Sequence, residues 1–397
     1  MDRRQLLSAV AAAGAGSLAG CVGSDGSDGS DGGSDSSDDT AAPFAVETVA
    51  TGFSNPWSIA FLPDDGLLVT ERAGDLRLVD RASGSVRRVD GTPEVFARGQ
   101  GGLLDVALHP SFPDRRWVYL TYSTANADGD STTALGRGRL DREAPRLEEF
   151  EPLYAADPPV DSAGHYGSRI AFDAADRLYV TVGDRQFKNF GPDHVAQDLS
   201  VDLGKILRLA PDGSVPDDNP FVDDPNARDA IYSYGHRNPQ GLTVHPDTGD
   251  LWASEYGEQD GDEINVLRPG GNYGWPVADD GCTYGEGDPI GVSHDDREDV
   301  IAPAHSWPCG SGGFPPGGMT VHTGSAFPDW EGDLFVGGLA ARAVARLTLD
   351  GTAVTGVDRL LADREQRIRT VAEAPETGRL YLAVDAEDAP VVRLTPA

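Results

Sequence analysis

Four short stretches of this sequence carry side chains whose types and spacing could do chemistry. In GHYGSRIAF, residues 164 to 172, His165 stands between Gly164 and Gly167, which let the backbone approach a ligand. An imidazole near its ordinary pKa accepts a proton at neutral pH. IYSYGHRNPQGL, residues 231 to 242, sets Arg237 beside Asn238 and Pro239. That guanidinium stays charged at any ordinary pH, and Asn-Pro continues neither a helix nor a strand well, so a loop held still is expected. SEYGEQDGDEINVLRPGGNYGW, residues 254 to 275, is crowded with oxygen ligands, and in REQRIRTV, residues 364 to 371, Arg367 and Arg369 alternate and so face one side of a strand.

Each stretch also has a plainer reading. A lone His-Gly pair suits a packed loop histidine, DGDE at 260 to 263 suits a solvated acidic turn, and alternating arginines suit a salt-bridged edge. His236 reads as structural, bonding a neighbouring backbone carbonyl. His109 and His245, each followed by proline, read as framework.

The elements that would position these residues show as a repeat. The copies are IAFLPDDGLLVTE from Ile59, VALHPSFPDRRWVYLTY from Val106, IAFDAADRLYVTVGD from Ile170, LTVHPDTGDLWASEYG from Leu242, SAFPDWEGDLFVGGL from Ser325 and VAEAPETGRLYLAVD from Val371. Each joins an alternating strand, a Pro/Asp/Gly turn and a second strand rich in Leu, Val, Tyr or Trp, which is the inner hairpin of a propeller blade. The expected fold is all-β, a six-bladed β-propeller with four-stranded antiparallel blades; a β-sandwich with coincidental turn spacing is the alternative. Long insertions are expected from Asp184 to Asn226 and from Tyr273 to Gly324. Loops from all the blades converge on the central channel, where chemistry is expected.

Composition bounds the partners. The chain has 397 residues, 65 acidic against 32 basic, and a formal net charge of -33. Lys188 and Lys205 are its lysines. Nucleic acid is excluded for want of a basic face, and so acidic a surface reads as adaptation to high salt.

The first residues, MDRRQLLSAVAAAGAGSLAGC, pair Arg3 with Arg4 ahead of a small-residue apolar run and Leu18-Ala19-Gly20-Cys21. Residues 1–20 therefore read as a twin-arginine lipoprotein signal, Cys21 as the lipid-bearing residue and residues 21–44 as a Ser/Asp/Gly tether to a domain over 45–397. The expected location is the outer face of the cell membrane, held only through that anchor. Cys282 and Cys309 would then sit in an oxidising compartment, and whether they pair stays open on spacing alone.

Taken together and in order, HxGxR, GHRNPQGL, E-x-G…DEIN-x-L…GGNYGWP and RxR before the last blade resemble the soluble pyrroloquinoline quinone (PQQ)-dependent sugar dehydrogenases, the glucose/sorbosone and aldose sugar dehydrogenase family. GQGGLLDVALHPSF, residues 99 to 112, is similar to another of the family's stretches. The resemblance implies a PQQ cofactor and Ca2+ in the channel, an aldose substrate oxidised at C1 to its lactone, and an electron acceptor it does not specify. It makes His165 the base, places Gln100, Arg237, Asn238, Arg367 and Arg369 on the cofactor, and gives Arg237 a part in polarising it. It assigns one calcium to backbone carbonyls at Gly257 and Glu258, and a second to Glu263 and the Tyr273 carbonyl. A planar quinone with three carboxylates suits guanidinium forks.

Three positions depart from the family pattern. Glu258 stands for a usual proline, Ser168 for a common glycine, and Ala340 where some members carry a cofactor-binding lysine, which leaves one carboxylate contact either missing or supplied by Arg342. Competing readings are a propeller that kept the fold and binds a sugar or other partner without turnover, and a calcium-dependent propeller lactonase, which would not need the arginine cluster.

Overall fold

The computed structural model describes residues 44–397. The expected signal, the lipid-bearing Cys21 and the tether lie outside the described residues, except that Phe44 already opens the first strand. Six four-stranded antiparallel sheets follow in chain order, at 56–89, 103–155, 170–234, 239–307, 316–360 and 368–396. The sixth takes its outermost strand from the other end of the chain: Phe44–Phe53 pairs with Ala389–Pro396, Phe44 opposite Pro396. The first strand of each sheet contacts that of the next around a ring. This is the six-bladed propeller, and its regular helical structure among the described residues is confined to three short 3-10 turns.

The second strand of every blade is sandwiched between neighbouring blades. Leu178–Val182, Leu251–Glu255, Leu334–Gly338 and Leu380–Val384 are buried at every position. That explains the near-continuous apolar runs in the copies.

One position of the copies holds the blades together. It is occupied by Thr70, Thr121, Thr181, Ser254, Gly337 and Ala383 in turn. The hydroxyls of Thr121, Thr181 and Ser254 donate to the Ser168, Pro239 and Gly317 carbonyls of the next blade at 2.6, 2.8 and 3.1 Å. Thr70 does the same to Leu104. Three of these hydroxyls also accept an N–H from their own blade, Ser58 and Asp105 in the inner strand at 3.0 Å each and Arg169 just before it at 2.8 Å. The inner strand bulges there, as the register shift between Pro56 and Ser58 shows, and the hydroxyl satisfies the N–H that the bulge frees. At Gly337 a Cβ would stand 2.7 Å from the Ile368 carbonyl, so the fifth blade closes by direct approach instead.

Thr121→Val keeps the shape and strands a buried N–H and C=O, and is expected to cost about 1–3 kcal/mol while Thr121→Ser restores most of it. Urea unfolding of the two variants reads the difference.

Two expectations need correction. The fifth copy does not begin with a strand: Ala326-Phe327 leads into the 3-10 turn Pro328–Trp330, and the inner strand is Pro316–Val321, whose PGGMTV lacks the apolar pair because Gly317 and Gly318 meet Arg369 and Thr370 too closely for a Cβ. The long insertions are also partly framework. The stretch from Asp184 to Asn226 contains the strand Lys205–Leu209, and that from Tyr273 to Gly324 contains His305–Trp307, the outermost strand of blade 4, and blade 5's inner strand. Among the described residues only Ala278–Cys282 and Pro289–Gly291 form a hairpin outside the blades.

Cys282 and Cys309 are joined, with Cα atoms 5.4 Å apart. A carboxylate oxygen of Asp260 lies within 4.8 Å of both sulfurs, but a disulfide has no thiolate to offer, so that trio holds no metal. His109 and His245 cap their hairpin turns, each Nδ1 accepting the N–H two residues on, from Ser111 at 3.0 Å and Asp247 at 3.3 Å.

Candidate active site

The residues just before each inner strand and just after each second strand surround one cavity of about 390 Å³. His165, Gln100, Arg237, Asn238, Gly257, Glu258, Arg367 and Arg369 all line it. Glu263 and Tyr273 do not; both lie near His294 instead.

His165 is held at φ 48°, a left-handed conformation few non-glycine residues adopt. Its backbone N–H donates to Gln100 Oε1 at 2.8 Å, and the Gly167 N–H donates to Asn238 Oδ1 at 3.1 Å. Those two amides therefore fix the turn with their oxygens, and their NH2 groups have no protein partner among the described residues. Ser168 is also left-handed, at φ 81°, which explains why glycine suits that position.

The His165 ring is buried and its Nδ1 lies 2.7 Å from Asp184 Oδ1. Asp184 also accepts from the Gln186 N–H and from Trp275 Nε1, each at 2.9 Å. Burial pushes the Asp184 carboxyl up, but His165, Arg237 and His194 outweigh it and hold the group below its usual range. An ionised carboxylate only accepts, so Nδ1 carries the proton and Nε2 the lone pair. Burial foremost, helped by Arg237 and Lys188, lowers the His165 pKa against the pull of Asp184. The imidazole is thus neutral at pH 7 and ready to take a proton at Nε2.

Arg237 stands on the loop that leads into the next blade. Its N–H donates to Glu255 Oε2 at 2.8 Å, its carbonyl accepts from Asp184 N at 2.7 Å, and its guanidinium lies 5.2 Å over the Trp275 ring. It is ion-paired with Glu258, which Lys188 also grips, 2.6 Å from Nζ to Oε2. Burial raises the Glu258 carboxyl, yet Arg237 and Lys188 bring it below its ordinary value. The buried Nε atoms of Arg237 and Arg369 have no hydrogen-bond partner among the described residues.

Arg367 and Arg369 face the same side as expected, both reaching Asp385 Oδ2, at 3.4 and 2.8 Å. Arg369 also donates to Gln240 Oε1 at 2.9 Å. Arg72 lines the cavity and makes no side-chain hydrogen bond or ion pair among the described residues. Ala340 lines it too, whereas Arg342 is exposed and outside it, so of the two alternatives Arg342 is not the one that supplies the contact. Five cationic side chains, Arg72, Lys188, Arg237, Arg367 and Arg369, face three carboxylates, Glu258, Asp262 and Asp385. In a chain of formal charge -33, this cationic hollow is suited to an anion.

For a metal, two places have the right donors. Gly257 and Glu258 line the cavity and no hydrogen bond is donated to either carbonyl. Such orphaned carbonyls are the hard oxygens that calcium takes. The second place is buried in blade 4, where Glu263 lies among Glu255, Asp279 and Asp280, and burial with those neighbours pushes its carboxyl well up. His294 Nε2 stands 3.7 Å from Glu263 Oε1 and 3.4 Å from the Tyr273 carbonyl, so the two donors share a neighbourhood crowded with carboxylates.

Sequence reasoning missed Asp184, Asp385, Arg72 and Lys188. The first three had a signal, since VTVGD, LAVD and VTER end their copies within three residues of the blade-bridging position, where a second strand delivers its next side chains to the channel. Lys188 had none. His236 is structural as expected, though its partners are the side chains of Glu255 and Ser233, each at 2.9 Å, rather than a carbonyl.

Residues 53–393 match the family described as Glucose / Sorbosone dehydrogenase. Aldose sugar dehydrogenase YliI of Escherichia coli (strain K12) is 38% identical over 359 residues, covering 88% of this chain and 92% of that protein. The crystal structure of the E. coli soluble aldose sugar dehydrogenase in its apo-form superposes with a TM-score of 0.83 at 36% identity, over 89% of this chain and 100% of that one. The PQQ-bound form of the Streptomyces coelicolor aldose sugar dehydrogenase gives 0.73 at 29% identity, over 89% and 99%.

Proposed function

Since the chain belongs to the Glucose / Sorbosone dehydrogenase family, we propose that it is a PQQ- and calcium-dependent aldose dehydrogenase that oxidises the sugar at C1 to the lactone. The observation that carries the reading is the pairing of a neutral, Asp184-oriented His165 with a cationic cavity. Bound in that cavity, the quinone would accept the C1 hydride while calcium polarised its oxygens. The residues this chain supplies have separable tasks. Arg72, Arg367 and Arg369 hold carboxylates, and the spare NH2 groups of Gln100 and Asn238 donate to carbonyl-type oxygens. Arg237 provides a fixed positive charge where negative charge grows. His165 Nε2 takes the C1 hydroxyl proton, and the imidazolium so formed is stabilised by Asp184.

Gly257 and Glu258 would hold the calcium of the cavity, and Glu263 with the Tyr273 carbonyl a structural one. Export and a lipid anchor at Cys21 complete the proposal, supported by the Cys282–Cys309 disulfide, which suits an oxidising compartment. Among the described residues no helix is long and apolar enough to cross a membrane.

Titrating PQQ into the protein with and without calcium, followed by absorbance, tests the cofactor reading. Saturable one-to-one binding that weakens on chelation is expected; no saturable binding would leave the competing reading, a propeller that binds without turnover, which the Glu258–Arg237 ion pair favours.

The pH dependence follows from His165. Its depressed pKa means that kcat/KM stays level as pH falls from neutral and declines only through a value below the ordinary 6.5. Asp184 is the group that raises it, so Asp184→Asn is expected to move that decline to still lower pH. A pH profile of both proteins checks the direction.

A further inference from the structure

The hairpin Ala278–Cys282 and Pro289–Gly291 belongs to no blade. It is inserted in blade 4 between Asp262–Leu267 and His305–Trp307, and its tip brings Tyr284 to the cavity wall. Tyr284 is 65% exposed, the most exposed large apolar side chain among the described residues, where the next is Val292 at 45%. Its hydroxyl makes no hydrogen bond there. An aromatic ring left so bare at the wall of a cavity is unusual for a side chain with only a framework role.

The ring is nonetheless carried on a braced support. Cys282, two residues before it, is buried and joined to Cys309, and the Cys282 carbonyl accepts from Gln259 N at 3.1 Å. The hairpin is thereby tied to the loop that carries Gly257 and Glu258. Thr283 N donates to the Asp288 carbonyl at 2.9 Å, closing the tip. A ring with two side-chain torsions on such a support can stack on a ligand at little cost in conformational entropy.

The other aromatic rings on the lining are less open to a ligand, Trp57 being buried and Tyr256 half-buried, and apart from Pro315, Leu339 and Ala340 the rest is mostly charges and amides. Hydroxyl groups of a sugar can bond to those, but they exchange for water at small net gain. What distinguishes a pyranose from water is its ring of C–H groups, flat and apolar on at least one face, and that face needs an apolar plane. We propose that Tyr284 is a specificity-determining residue whose ring stacks on the C–H face of an aldopyranose substrate at the cavity mouth. The inference rests on the dehydrogenase reading and deepens it by naming the side chain that takes the apolar face of the sugar ring.

The test uses the full chain loaded with PQQ and calcium, with Tyr284→Ala, Tyr284→Phe and Tyr284→Trp beside wild type. Stacking requires Tyr284→Ala to raise KM for the aldose by about tenfold or more, with kcat, PQQ affinity and KM for the dye acceptor close to wild type. The Phe and Trp variants must keep KM within a few-fold. A KM unchanged in Tyr284→Ala overturns the proposal, and so does an equal loss in Tyr284→Phe, which would make the hydroxyl the contact. A rise confined to the acceptor's KM overturns it in favour of acceptor docking. If wild type oxidises no aldose, the dehydrogenase reading fails; calorimetry of sugar binding to wild type and Tyr284→Ala then decides Tyr284 separately, equal heats overturning the proposal.

Discussion

His165→Asn, in protein loaded with PQQ and calcium, is expected to lose between about 10² and 10⁴ of kcat with aldose, the range that a positioned general base supplies. Asparagine is chosen because residue 165 sits at φ 48°, a conformation it tolerates better than most side chains. The Gln100 contact is to the backbone N–H and survives the change. PQQ affinity should therefore change little while kcat and kcat/KM fall together, the signature of an interaction made only in the transition state. A loss seen in PQQ binding instead would make His165 a cofactor contact and leave the base unassigned.

The second large effect is on stability. Arg169 lies just before the inner strand of blade 3 and reaches three other blades. Its Nε donates to the Gln240 carbonyl at 3.0 Å, its Nη1 to Ser58 Oγ at 3.2 Å and to Asp105 Oδ1 at 3.1 Å, and its guanidinium lies 4.0 Å over Trp57. Arg169→Met keeps much of the volume and leaves the buried Asp105 carboxylate without its cation. Breaking a buried pair in this way costs about 3–5 kcal/mol, and unfolding of the variant in urea should show a loss of that order. Arg169→Lys should recover only part, because an ammonium cannot serve three separated acceptors as a fork does. A midpoint equal to wild type would show that the ring of blades does not depend on this hub.

Much of this was legible in the sequence because propeller geometry repeats. Thr70, Thr121 and Thr181 recur at one place in their copies, and a hydroxyl there bridges adjacent blades. The fifth blade was misread because its inner strand, PGGMTV, is pared to glycine where the sixth blade's backbone approaches, and the apolar pair that marks the other strands is missing. At the site, His165, Arg237, Arg367 and Arg369 announced themselves by odd punctuation or alternation. Asp184 and Asp385 did not, since an aspartate at a strand end looks like a turn residue until the ring brings it against a histidine or an arginine. The Lys188–Glu258 contact joins residues 70 apart, and no local pattern encodes such a meeting. Arg342 failed as a substitute for lysine because it is exposed and outside the cavity that Ala340 lines.

The most direct test of the dehydrogenase reading is aldose-dependent dye reduction by the domain over residues 45–397, measured in high salt with PQQ and calcium added singly and together. Reduction that requires both additions and a pyranose aldose, and that falls by about 10²–10⁴ in His165→Asn, is the expected result. Saturable PQQ binding with no reduction across a broad panel of aldoses and acceptors would contradict it.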